Sequence, residues 1–187
     1  MSTVVLLVVL AVLVLWVIGA YNGLVSLKNQ VINAWKQIDV QLKRRHDLIP
    51  NLVNTVKGAM EFERDTLTAV MEARSRAMTA SSPADASQKE GALTQALGRL
   101  FAVAEAYPQL RANENVKMLQ EELSGTENKI GFARQFYNDI ATKYNIARES
   151  FPTNFIANSF NFQRAELFEI TEAAERAVPN VDLSMKK

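Results

Sequence analysis

The chain contains no cysteine, so thiol nucleophiles, disulfides and thiolate metal sites are all excluded. It also rules out a lipoprotein, which needs a cysteine to acylate. A single histidine, His46, limits the remaining chemistry. The paired Glu-x-x-His motif of di-iron helical bundles needs two histidines and cannot be built. No motif for a cofactor or a metal is present, and none is expected to bind. Glycine and proline are sparse, at 7 and 5 of 187 residues, and no stretch alternates with the period of a strand. A mostly helical chain follows. Net charge is only +1, with mild asymmetry along the chain, so no nucleic-acid partner is expected.

What is abundant is apolar residues at the N-terminus. Ser2 to Leu27 is 26 residues without one charge, and Val4 to Ile18 is unbroken apolar sequence. At a rise of about 1.5 Å per residue, roughly 20 such residues cross a hydrocarbon core of about 30 Å. A cleavable signal would carry a basic start and a small-residue cleavage motif; here no lysine or arginine precedes the run, which ends Ile18-Gly19-Ala20-Tyr21. The segment therefore reads as an uncleaved anchor, with residues 1–27 as transmembrane helix and junction and 28–187 as a bundle domain. Lys28 and Lys36 follow the span closely, which predicts a single-pass membrane protein with a cytosolic C-terminal domain.

Beyond the anchor, Trp35, Ile38, Leu42, Ile49, Leu52 and Val56 recur at helical spacing up to about Thr79. Pro50 is the strong interruption there, giving one long helix or two that meet at a kink. TASSPADASQK, 79–89, reads as a solvated connection, and Leu93, Leu97, Leu100, Ala104 and Tyr107 as a second helix. Pro108 predicts a break, with Asn113 capping the next helix. Val116, Leu119, Leu123, Thr126, Ile130, Ala133, Tyr137, Ile140, Tyr144, Ala147 and Phe151 then form a seam over five heptads, which calls for a neighbouring helix. A last amphipathic helix is expected through Leu167, Ile170, Ala174 and Ala177, ending at Pro179. The sum is an all-α fold: an N-terminal transmembrane helix followed by an antiparallel bundle of three to four long helices.

Two stretches are candidate sites. QLKRRHDLIPNLVNTVKG, 41–58, holds Lys43, Arg44, Arg45, His46 and Asp47. His46 beside Asp47 is a poor dyad, because neighbours on a helix point about 100° apart. Lys43, Arg44 and Arg45 lie 23 residues past Ala20, about 35 Å along a straight helix, against a Debye length of roughly 8 to 10 Å, so lipid headgroups barely reach them. Arg45 shares the spacing of Leu42, Ile49 and Leu52 and reads as a register residue paired with a carboxylate, with a solvated face or a docking patch as alternatives. The second stretch, FPTNFIANSFNF, 151–162, lies in a charge-free interval between Glu149 and Arg164. Phe151, Phe155, Ile156, Phe160 and Phe162 are candidate contacts for a partner or a membrane interface, or else a loop folded over the end of the bundle.

YNGLVSLKNQVINAWKQIDVQLKRRHDLIPNLVNTVKG, FAVAEAYPQLRANENVKMLQEEL, TENKIGFARQFYNDIATKYN and FPTNFIA resemble the LemA family of bacterial membrane-anchored proteins. The resemblance covers almost everything after the anchor. It implies a helical bundle behind a transmembrane helix, no established enzymatic activity and a poorly defined molecular role. A relative in magnetotactic bacteria is tied to magnetosome membrane formation. One departure is Glu61-Phe62-Glu63, where the family often has His-Glu, so a family-wide histidine site does not carry over. The functions expected are a membrane-anchored scaffold or adaptor, self-associating or bound to a membrane partner, and alternatively a lipid-contacting or membrane-remodelling protein acting through 151–162. An enzyme is not expected.

Overall fold

A computed structural model describes residues 1–168, which form six helices and, among these residues, no strand. Helix α1, Ser2–Lys57, is a single 56-residue rod, about 84 Å long at the standard rise. It is exposed through Trp16, with Val17 and Ala20 the first residues to touch the core, and this N-terminal stretch is apolar and long enough to cross a membrane. From Leu24 onward one face is buried, through Val31, Ala34, Ile38, Leu42, Arg45, His46, Ile49, Leu52 and Val56. The helix continues unbroken from the anchor into the bundle, across the boundary expected near residue 27.

Pro50 does not divide α1. A proline in a helix lacks the N–H that would bond the carbonyl four residues back, here that of His46. Arg74 takes that place, its Nε donating to the His46 oxygen at 2.7 Å. The break comes instead at Gly58–Glu63, where the chain reverses into α2, Arg64–Ala77. Met60 in this turn is fully buried, so the reversal is held by packing under the loop.

Helix α3, Pro83–Ala104, starts inside the stretch expected to be a solvated connection. Ser82 caps it by accepting from the Asp85 N–H at 3.3 Å, and Pro83 takes the first helical position, where its missing N–H costs nothing. The chain breaks around Pro108 as expected. A single turn, α4, Pro108–Arg111, leads into α5, Glu114–Glu149. Asn113 caps α5, its Oδ1 accepting from the Asn115 N–H at 2.9 Å and the Val116 N–H at 3.4 Å.

Helices α1 and α5 form a long antiparallel hairpin, as the pairs Trp35–Tyr137 and Arg45–Glu127 show. In the half away from the anchor, α2 and α3 complete a four-helix core around Ile49, Leu52, Val70, Leu93, Leu100 and Leu123. Each such fully buried aliphatic side chain contributes about 1.5–3 kcal/mol of transfer free energy. In the half next to the anchor the helical pair is completed by α6, Thr153–Ser159, and by an extended strap, 162–168.

That strap corrects the expected final helix. Leu167 lies in extended chain, while Ile170, Ala174, Ala177 and Pro179 fall outside the described residues. The α5 seam also ends one turn early. The helix stops at Glu149, leaving Phe151 exposed, and Ala141 and Asn145 are fully buried beside Ile140 and Ala147, which pack half-buried on the core.

Candidate functional site

Arg148 and Glu149 are the last charged residues of α5. Beyond them Phe151 and Pro152 turn the chain back, and α6 lies across the point where α1 leaves its bare stretch. Ile156 and Ala157 face inward against this end of the α1–α5 pair. Asn161, at φ 55°, adopts the left-handed conformation that asparagine tolerates, and it directs Phe162 back into the core. Tyr21 of α1 is the keystone. Its ring meets Phe160 edge-on at 4.8 Å and Phe162 at 5.6 Å. Lys28 places its Nζ 5.9 Å from the centre of the Phe162 ring.

The five candidate aromatic and aliphatic residues thus divide by role. Ile156 and Phe162 are buried and hold the segment in place. Phe151, Phe155 and Phe160 remain 80%, 62% and 56% exposed, forming a collar level with Tyr21. Three exposed phenylalanines with no charge among them make an apolar surface, and it adjoins a helix already suited to hydrocarbon.

The basic run 43–45 is split by helical geometry. Lys43 and Arg44 are exposed, and the closest partner of Arg44 is Glu122 at 3.9 Å, a surface pair of small worth. Arg45 is only 4% exposed. Its Nη1 donates to Glu90 at 3.1 Å and lies 3.0 Å from Glu127, while Nη2 donates to Thr94 at 2.7 Å. His46 approaches the other oxygen of Glu90 with Nε2 at 2.6 Å, and Asp47 points to solvent, so the two do not form a dyad. Glu90 of α3 therefore receives Arg45 and His46 of α1 through separate oxygens inside the core. The cluster links α1, α3 and α5 through buried or half-buried charge. It offers neither a solvent-facing nucleophile nor an open acid–base pair. Among the described residues, no group of three or more metal-ligating side chains comes together.

Inspection of the sequence missed Glu90 and the strap. Glu90 lies in QKEGAL among ordinary helix-surface residues, and only the buried positive charge opposite it reveals its role. The strap is held by side chains of α5, whose signature is Tyr-Asn at 137–138 and again at 144–145, one heptad apart.

Taken together, these features define a helical bundle with an N-terminal helix apolar and long enough to cross a membrane, a buried charged cluster in its core and three exposed phenylalanines beside that helix. The model of the LemA family matches residues 34–183, and the chain belongs to that family. Protein LemA of Metamycoplasma hominis is 27% identical over 159 residues, covering 83% of this chain and 71% of that protein. Magnetosome proteins MamQ 1 and MamQ 2 of Paramagnetospirillum magneticum are each 25% identical over 184 residues, covering 84% of this chain and 68% of theirs. LemA-family proteins are membrane-associated, of poorly defined role, and are not known as enzymes.

Proposed function

We propose that the chain is a membrane-anchored, non-catalytic helical scaffold that the Phe151–Phe155–Phe160 collar seats on the bilayer. The observation that carries this reading is the meeting of two apolar surfaces distant in sequence: the bare stretch of α1 and the exposed collar, joined at Tyr21. An anchor alone would leave the bundle free to tilt. A collar in the headgroup region gives a second point of attachment.

Lys28 and Lys36 favour the cytosolic face of the inner membrane, and kinship with magnetosome proteins supports membrane organisation as the class of role. The four-helix end then stands away from the bilayer. A groove of about 1000 Å³ there, lined by Val53, Met60, Leu67 and Met71 and edged by Lys57 and Glu72, is the surface it presents to a protein partner.

The test uses single cysteines, since the chain has none of its own. Full-length Phe155→Cys carries an environment-sensitive dye in vesicles of phosphatidylethanolamine and phosphatidylglycerol. Phe132→Cys, another exposed phenylalanine, is labelled on the side of the bundle as the control. The dye at 155 should emit to the blue and be quenched by spin-labelled lipid, and the dye at 132 should do neither. Equal solvent exposure at both positions would remove the collar from the proposal.

A further inference from the structure

The strap is held almost wholly through its backbone. Tyr144 donates its hydroxyl to the Gln163 carbonyl at 2.8 Å, and Tyr137, one heptad earlier, donates to the Glu166 carbonyl at 2.7 Å. Asn145 grips Ala165 from both sides: its Nδ2 donates to the Ala165 carbonyl, and its Oδ1 accepts the Ala165 N–H, each at 2.9 Å. Asn138 does the same to Phe168, at 3.0 and 2.8 Å. Arg148 Nε adds a bond to the Phe162 carbonyl at 2.6 Å.

The repeat works because two periods match. Seven helical residues advance about 10.5 Å, and three extended residues about 10 Å. Each Tyr-Asn pair therefore meets the strap three residues further along. The strap's own side chains are fully buried only at its ends, Phe162 and Phe168, the latter against Trp35 and beneath Arg134, while Ala165 and Leu167 pack half-buried on the same core. Between them Gln163, Arg164 and Glu166 face solvent.

We infer that the Tyr-Asn ladder of α5 is a binding site for an extended peptide segment with aromatic residues six apart, and that the segment it takes in trans is the strap of a second copy. This rests on the membrane-anchored scaffold reading, because the anchor places copies side by side in one orientation and raises their effective concentration. Every copy offers the same main-chain groups and the same two rings, so an exchanged strap makes the contacts of the original. Exchange of an identical element is a low-cost route to oligomers. The hinge is the exposed turn at Asn161, and when the strap leaves with Phe162, the buried Ile156 and Ala157 and the Tyr21–Phe160 contact remain to hold α6.

The test uses the full chain. Donor copies carry Arg164→Cys on the strap, and acceptor copies carry Lys143→Cys, next to Tyr144 on α5; both positions are exposed. Each copy holds one thiol, so a short bismaleimide joins strap to ladder only between copies. Donors and acceptors are reconstituted together in the same vesicles. Exchange predicts a cross-copy product. Asn138→Leu with Asn145→Leu in the acceptor should lower its yield about tenfold, and the same pair in the donor should not lower it. Ala165→Pro removes the N–H that Asn145 accepts and should act in reverse, lowering the yield from the donor and not from the acceptor. The same variant enters both arms, so a folding defect would depress both. Absence of a cross-copy product, or equal loss whichever copy is altered, overturns the inference. A dye at 155 that still reports lipid contact then leaves the collar standing.

Discussion

The two halves of the hairpin are built on opposite principles. Away from the membrane, four helices enclose aliphatic side chains and a charged cluster, so α2 and α3 contribute side chains to a common core. Near the membrane, the same α1 and α5 are completed by chain that is mostly not helical, fastened by side chain to backbone. In the first case sequence is selected at every contact. In the second the specific side chains lie mainly on α5 and at the two strap ends, while Gln163, Arg164 and Glu166 of the strap face solvent. The difference shows how one helical pair can be completed at one end by packed helices and at the other by a strap bonded through its backbone.

Breaking the rigid half should have the largest effect. Arg45→Leu leaves Glu90 buried without its guanidinium partner and should cost about 3–5 kcal/mol, read as a lower denaturation midpoint in detergent. If the loss is near zero, the cluster does not hold the register. Asn145→Leu should cost about 1–3 kcal/mol, confined to the other half. Hydrogen exchange should speed up at the Ala165 amide and stay unchanged in α2 and α3.

A pH experiment sharpens the contrast. Burial, with the nearby Glu166 carboxylate second, pushes the Tyr137 phenol up to about 12 from an ordinary value of 10.0. The folded value lies above the unfolded one, so this contribution is complete below pH 10 and is lost as pH rises through about 12. Trp35, in contact with Tyr137 and Phe168, reports strap release by its fluorescence in a Trp16→Phe background. Tyr137→Phe should shrink the alkaline step and leave the part set by Tyr144, whose phenol burial also raises, at a cost of about 0.5–1.5 kcal/mol for the lost hydrogen bond. The smallest effect is expected at Arg44→Ala, below about 0.5 kcal/mol, because its pair with Glu122 is long and open to solvent.

Much of the helical half was legible in the sequence because its signals are local. Asn113 and Pro108 mark a helix end by capping and steric rules that need no tertiary context. Pro50 left one long helix or a kinked pair open, and the single helix is supported by Arg74, 24 residues away, which bonds the His46 carbonyl. Gly58 to Glu63 carries little that forbids a helix, and the reversal there comes from burying Met60 under the returning chain. The strap escaped for a different reason. Partners that bind backbone leave no pattern on the segment bound, and residues 163–168 in isolation resemble an amphipathic helix. The Tyr-Asn repeat on α5 was the readable half of that contact, and Tyr137 and Tyr144 were absorbed into the apolar seam. In the collar, composition identified the segment, but only the antiparallel path of α5 brings it to the anchor.

The unbroken passage of α1 through Tyr21 and Leu24 has a mechanical meaning. No linker separates the span from the domain, so the helix is a lever with its fulcrum at the bilayer surface. From Leu24 to Lys57 the arm is about 50 Å long, and a 10° tilt of the anchor sweeps its far end by about 9 Å.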